Sequence, residues 1–255
     1  MYDAFARYYD ALMNDVDYGA WSDYLLSLLV ERLGPNRPQA PQKILDAACG
    51  TGNLALPLAR AGYWLTASDQ SEAMLRIAQE KARRAGQGIA FIRQSLQQIE
   101  LPRPVDCINC ACDGVNYLTA DEDVNRFFAA AWRNLKPGGL LLFDISSSCK
   151  LTHVLSGRCY GEDREDLAYL WQNDFDEDKG LLQMDLTIFA REERGKNFLR
   201  YRESHFQRAY DSEELVDKLT KTGFDDVHVY AFPSREKPNG AEERIQFVAR
   251  KSAER

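Results

Sequence analysis

The chain reads as a single α/β domain, a doubly wound and mostly parallel sheet of seven strands with an antiparallel β meander inserted into it. Three observations predict this. From residue 43 to 145, short apolar runs alternate with segments of helical period, the pattern of βαβ units. A tight turn, CGTG (49–52), joins the first of these strands to the helix after it. Past residue 160 the apolar period changes to two, which marks strands with one covered face.

Two amphipathic helices open the chain, over 4–13 and 20–33, and the proline-rich GPNRPQAPQ (34–42) separates them from the first strand. Strand KILDAA (43–48) leads through the turn into a helix ending near residue 61. Strand WLTAS (64–68) stops at Asp69, and SEAMLRIAQEKARRAG (71–86) is a helix with Ser71 as its N-cap. Strands IAFIRQ (89–94) and VDCINC (105–110) come next. The helix over 121–135 opens with Asp121, Glu122 and Asp123, which suit the positive end of its dipole. KPGG (136–139) is a turn, and LLLFDI (140–145) the fifth strand. LAYLWQND (167–174), LLQMDLTIFA (181–190) and NFLRYRESHFQRAY (197–210), joined by DEDKG and REERGK, form the meander. Helix 211–223 resumes the series, and strands 227–232 and 244–250 pair as a hairpin at the sheet edge. The expected organisation is a helical lid (1–34), a core (43–160 and 210–251) and a β insert at about 164–209, placed to cover the mouth of a site at the carboxyl ends of the strands.

The 255 residues are 45% hydrophobic and 28% charged, ordinary for a globular protein. A net charge of -7 argues against a nucleic-acid partner, since neutralising phosphates needs a concentrated basic face. The most basic stretch, Arg191 to Arg208, is broken by Glu192, Glu193 and Glu203. Mean hydropathy is -0.46, and no apolar run is long enough to span a bilayer. MYDAFARYYD lacks an apolar secretory core, so no signal peptide is expected. Three of the six cysteines cluster in VDCINCACDG, but no second pair or histidine cluster completes a metal site. Alternation puts Cys110 and Cys112 on the face of Asp106 and Cys107 on the other. Buried reduced thiols in a reducing cytoplasm, with no metal, are the expectation.

The richest segment is ILDAACGTGNLALPLAR (44–60). Small residues Ala48, Gly50 and Gly52 allow a sharp turn and let a ligand approach the main chain closely. Asp69, at the end of the next strand, can accept hydrogen bonds from a ribose diol. Gly50 to Ala55 also matches G-x-G-x-x-A, so an NAD-dependent oxidoreductase stays open on this loop alone. Asp46 favours a different ligand. A carboxylate there would repel a pyrophosphate but suits the ammonium group of a sulfonium amino acid.

DAACGTG resembles the D-x-G-x-G-x-G loop of class I S-adenosylmethionine-dependent methyltransferases, whose core is Rossmann-like. SDQSEAMLRIAQEKA is similar to that family's second-strand acid and following helix, LKPGGLLLFDI to its fifth strand, and TGF (222–224) to the start of its penultimate strand. FARYYD (5–10), CDGVNYL (112–118) and HFQRAY (205–210) resemble F-A-x-x-Y-D, C-D-S-L-N-Y-L and H-x-Q-R-x-Y of a small-molecule subgroup with an antiparallel insert. The resemblance covers nearly the whole chain. It implies S-adenosyl-L-methionine as cofactor, with S-adenosyl-L-homocysteine as product, held by Asp46, Ala48, Cys49, Gly50, Gly52, Asp69, Gln70, Ser95, Leu96 and Cys110. Ala48 stands where the family has glycine. Ser95 stands where it has an acid that receives the adenine amino group, and the Leu96 backbone supplies the companion donor.

For methyl transfer, the candidate catalytic residues are Asp113, just past the fourth strand, and His205 on the insert, with Glu203 beside it. Alternation places Tyr201, Glu203 and His205 on one face, with Arg202, Ser204 and Arg208 on the other. If the first face looks inward, His205 is the general-base candidate; otherwise it is a surface residue. Asp113 either faces the pocket or caps the turn at Asn116–Tyr117. Tyr9 and Trp21 form an aromatic lid or simply core. The expected acceptor is a small molecule methylated at nitrogen or oxygen. CDGVNYL lacks the Pro-Pro-aromatic signature of base methylation. A regulatory module that binds the sulfonium without turnover is the non-enzymatic alternative, and the sequence carries no signal for oligomeric state.

Overall fold

A computed structural model describes residues 3–192 and 197–253. Helices α1 (Asp3–Leu12) and α2 (Tyr18–Leu33) precede β1 (Lys43–Ala47), α3 (Ala55–Arg60), β2 (Trp64–Asp69), α4 (Glu72–Arg84), β3 (Ala90–Arg93), β4 (Val105–Cys110), α5 (Asp121–Asn134) and β5 (Leu135–Ser146). Four further strands, β6 (Cys159–Asp163), β7 (Leu167–Asp176), β8 (Leu181–Arg191) and β9 (Phe198–Arg208), form a second sheet. Then come α6 (Ser212–Thr222), β10 (Phe224–Ala231) and β11 (Arg244–Lys251).

The main sheet runs β10-β11-β5-β4-β1-β2-β3. β1 to β5 are parallel, and β11 lies antiparallel between β10 and β5. β1 pairs with β2 on one side and β4 on the other, so the strand order reverses at β1 and a crevice forms beyond the carboxyl ends. Both faces are covered, as continuous apolar strands such as LLLF require. One face packs Phe127, Phe128, Phe143 and Phe247 with α5 and α6; the other packs Leu25, Leu28, Ile44 and Leu142 with α2.

Local signals explain the helix starts. Ser71 accepts a hydrogen bond from the Met74 N–H, and Asp211 from the Glu213 N–H. Four expectations need correction. KPGG is not a separate turn before the fifth strand. β5 begins at Leu135, and residues 136–139 bulge out between the pairs Val105–Leu135 and Cys107–Leu140. The meander has four strands and starts at Cys159, because CYGED is exposed throughout and shows no apolar alternation. β10 begins at Phe224 rather than 227, with a register shift between Asp225 and His228. Cys112 does not share a face with Cys110: φ is 60° at Cys112 and 53° at Asp113, so the chain turns and alternation ends at β4. Of the expected REERGK connection, residues 193–196 lie outside the described residues. Among the described residues no helix is long and apolar enough to cross a membrane.

Candidate functional site

A cavity of about 610 Å³ lies beyond the carboxyl ends of β1, β2 and β4. Its floor is the loop after β1. Ala48, Gly50 and Gly52 take φ of 53°, 53° and 81°, so three left-handed residues in five reverse the chain. The Cys49 N–H donates to the Ser68 carbonyl (2.9 Å), and the Gly52 N–H to the Cys49 carbonyl (2.9 Å). A Cβ added at Gly50 meets nothing within 4 Å, so the cavity is open against that backbone.

Eight of the ten expected cofactor residues border this cavity: Asp46, Ala48, Cys49, Gly50, Asp69, Gln70, Ser95 and Leu96. The two exceptions have packing reasons. Gly52 faces α4, where an added Cβ would come 3.1 Å from the Ala78 methyl. Cys110 is fully buried in the core, and a Cβ on Gly114 would sit 2.8 Å from its sulfur.

The acids differ in their surroundings. Asp46 is 2% exposed. One of its oxygens accepts from the Asn109 amide (2.7 Å), and the other has no partner. Burial pushes its carboxyl up to about 7. Asp69 accepts from the N–H groups of Gly50 (2.9 Å) and Ser71 (2.8 Å), one on each oxygen. Burial raises its pKa against those two donors, and each oxygen keeps a further lone pair. Ser95 precedes the short turn Leu96–Gln98 and makes no side-chain bond to it. Gln94, which the sequence did not single out, also lines the cavity. Its amide nitrogen is buried without a partner.

The opening helices reach the site through Asp10. Its carboxylate accepts from Thr51 (2.6 Å), Asn53 (3.0 Å) and Lys81 (2.6 Å), tying α1 to the loop and to α4. Tyr9 and Trp21 line the cavity and also pack in the hydrophobic clusters, so lid and core are the same residues here. Burial pushes the Tyr9 hydroxyl well up.

Past β4, Asp113 stands at the start of the turn Gly114–Tyr117, but its side chain makes no capping bond to it. The Asn116 N–H donates to its backbone carbonyl (3.0 Å), while its carboxylate, at the cavity lining, accepts from Arg244 and Gln207. Arg244 bridges that carboxylate (2.9 Å) to the fully buried Asp144. Asp144 also accepts from the N–H groups of Cys112 (2.7 Å) and Asp113 (3.0 Å), which fixes the left-handed pair. The Arg244 guanidinium lies 4.7 Å from the Trp21 ring. Sequence reasoning passed over Asp144 and Arg244. The available signal was an acid inside the apolar run LLLFDI and a cation opening RIQFVAR.

The meander forms the far wall, through Trp171 and Asn173 of β7, Met184 and Leu186 of β8, and His205 and Gln207 of β9. Of the two placements that alternation left open, His205 takes the inward one and is 7% exposed. Burial lowers its pKa, keeping the imidazole neutral near pH 7. Its Nε2 lies 3.6 Å from the Glu203 carboxylate, and its ring 5.1 Å from that of Phe5.

Comparison with known proteins agrees with this geometry. A family model described as a methyltransferase domain matches residues 44–139. YqeM of Bacillus subtilis (strain 168) is 34% identical over 253 residues, covering 99% of this chain and 98% of its own. A protein of Geobacillus sp. (strain WCH70) is 35% identical over 98% of this chain and 99% of its own. Neither carries a name more specific than methyltransferase. A solved S-adenosylmethionine-dependent methyltransferase from Clostridium acetobutylicum ATCC 824 superposes with a TM-score of 0.86 at 31% identity, over 98% of this chain and 99% of that one. S-adenosylmethionine is the cofactor, and the dinucleotide reading of the glycine loop falls away. The chain belongs to the class I S-adenosylmethionine-dependent methyltransferases.

Proposed function

We propose that this methyltransferase acts on a small molecule, at a nitrogen or oxygen atom. The observation that carries the reading is the half-enclosed shape and size of the cavity. Its wall opposite the glycine loop is built by α1 and by all four strands of the meander, including Tyr160 of β6. About 610 Å³ suits a cofactor with a compact partner and leaves little room for a polymer.

The residues present fit the cofactor. The unpartnered Asp46 oxygen suits its ammonium, and the open backbone at Gly50 leaves space for it. The remaining lone pairs of Asp69, with Gln70 alongside, suit the ribose diol. Ser95 and the Leu96 backbone suit the adenine edge. When bound, the cofactor supplies an electrophilic methyl group. The protein's own part is mostly positioning. α1 and the meander exclude water, the Asp113–Arg244–Asp144 group holds the loop beside the acceptor, and neutral His205 can take a proton from it. A net charge of -7 supports the absence of a nucleic-acid partner.

The test is turnover on a panel of small amines and alcohols, read as S-adenosylhomocysteine formed. Saturable methylation of a panel member is the expected result. Methylation confined to proteins or nucleic acids would overturn the reading.

A further inference from the structure

The cavity wall carries an excess of negative charge. Five carboxyl groups line it, those of Asp15, Asp69, Asp113, Glu243 and the half-titrated Asp46, against two cations, Lys150 and Arg244. Lys150 is answered by Glu243 at 3.7 Å. Arg244 stands between Asp113 and Asp144, so two carboxyl groups share one guanidinium. Tyr9 of α1, Tyr117 of the loop after β4 and Trp171 of β7 add aromatic rings to the lining, a residue type that attracts cations.

A second observation is independent of charge. Asn173 is 5% exposed and lines the cavity from β7. Its amide nitrogen donates to the carbonyls of Arg158 (3.2 Å) and Trp171 (3.4 Å), while its oxygen has no partner. An amide oxygen only accepts, so the group that completes it carries an N–H or O–H donor.

We propose that the methyl acceptor is an amine on a compact, otherwise uncharged body. It enters as its ammonium ion, held by the Asp113–Arg244–Asp144 trio, the aromatic wall and the Asn173 oxygen. The proposal rests on the small-molecule reading and narrows it. Phosphorylated and carboxylate-bearing acceptors are disfavoured by repulsion. An ammonium has no lone pair, so one proton leaves first, to neutral His205 and then to water. The nitrogen lone pair forms the new N–C bond as the C–S bond breaks, and that electron pair stays on sulfur. The products are a methylated ammonium ion and a neutral thioether.

Three probes of similar shape and different charge test this: cyclohexylamine, cyclohexanol and cyclohexanecarboxylate, titrated calorimetrically into protein saturated with S-adenosylhomocysteine. Saturation by S-adenosylhomocysteine is checked first, and its failure would count against the cofactor site rather than this inference. The amine should bind about tenfold or more tighter than the carboxylate, with the alcohol between. Asp113→Asn, if folded by its melting curve, should bring the amine-to-carboxylate ratio to within about threefold of unity. Equal binding of the three probes, binding of none, or a preference for the carboxylate would overturn the inference. So would an undiminished preference in folded Asp113→Asn protein.

Discussion

The side-chain amide of Gln207, on β9, donates to the carboxylate of Asp113, 94 positions earlier in the chain. The bond joins the lid to the loop beneath it, and it is reinforced on both sides. Asn116 donates to the backbone carbonyls of Arg208 (2.9 Å) and Ser146 (3.0 Å), and the Tyr210 hydroxyl to the Leu118 carbonyl. CDGVNYL and HFQRAY are therefore two halves of one joint, and the joint sets where His205 stands over the cavity.

Gln207→Leu should leave one Asp113 oxygen without its donor and loosen β9. The expected cost is about 1–3 kcal/mol, the scale of an unsatisfied group beside a charge. Hydrogen exchange should quicken across 198–208 while S-adenosylhomocysteine affinity changes little. Unaltered exchange in β9 would show that the joint does not depend on this bond.

Asp46 gives a pH-dependent prediction for the cofactor-free protein. Folded, it titrates at about 7; unfolded, it ionises near about 4. Between those values the folded state keeps a proton that the unfolded state has released, so stability falls as pH rises through this window and levels off above it. Asp46→Asn lacks that component. Its melting temperature relative to wild type should climb from pH 4 to pH 7 and then stay flat. A difference that does not vary with pH would mean the folded carboxyl ionises like an exposed one.

Asp69→Asn keeps one carbonyl acceptor for the loop and loses the charged one. S-adenosylhomocysteine should weaken by about 1.5–3 kcal/mol, the scale of a hydrogen bond to an ionised group. Wild-type affinity by calorimetry, with the fold intact, would remove Asp69 from the site.

The seven strands, their mostly parallel sheet and the glycine loop were legible because they rest on local signals: period, turn residues and an acid at a strand end. The exceptions have tertiary causes. Gly52 and Cys110 were both expected to hold the cofactor; Gly52 packs on Ala78, and Cys110 lies under Gly114. Asp144 and Arg244 meet only because β11 lies antiparallel beside β5, a pairing that brings residues 100 positions apart into contact. β6 escaped notice because an exposed edge strand needs no apolar alternation.

His205 should destabilise the fold in mild acid. Its folded pKa lies below the usual imidazole value, so below about pH 6.5 the unfolded chain takes up a proton that the folded site refuses. His205→Gln should therefore lose less stability than wild type between pH 7 and pH 5. Parallel melting curves across that range would indicate that His205 protonates freely in the folded state.

The most direct test of the cofactor site is calorimetric titration of S-adenosylhomocysteine into wild-type protein and Gly50→Val, each checked for fold by circular dichroism. At Gly50 the cavity is open against the backbone, and φ is 53°. A branched side chain would fill that space and strain the turn. The expected result is one site in the wild type and no measurable binding in the folded variant. Equal affinity in the two proteins would contradict the placement of the cofactor on this loop.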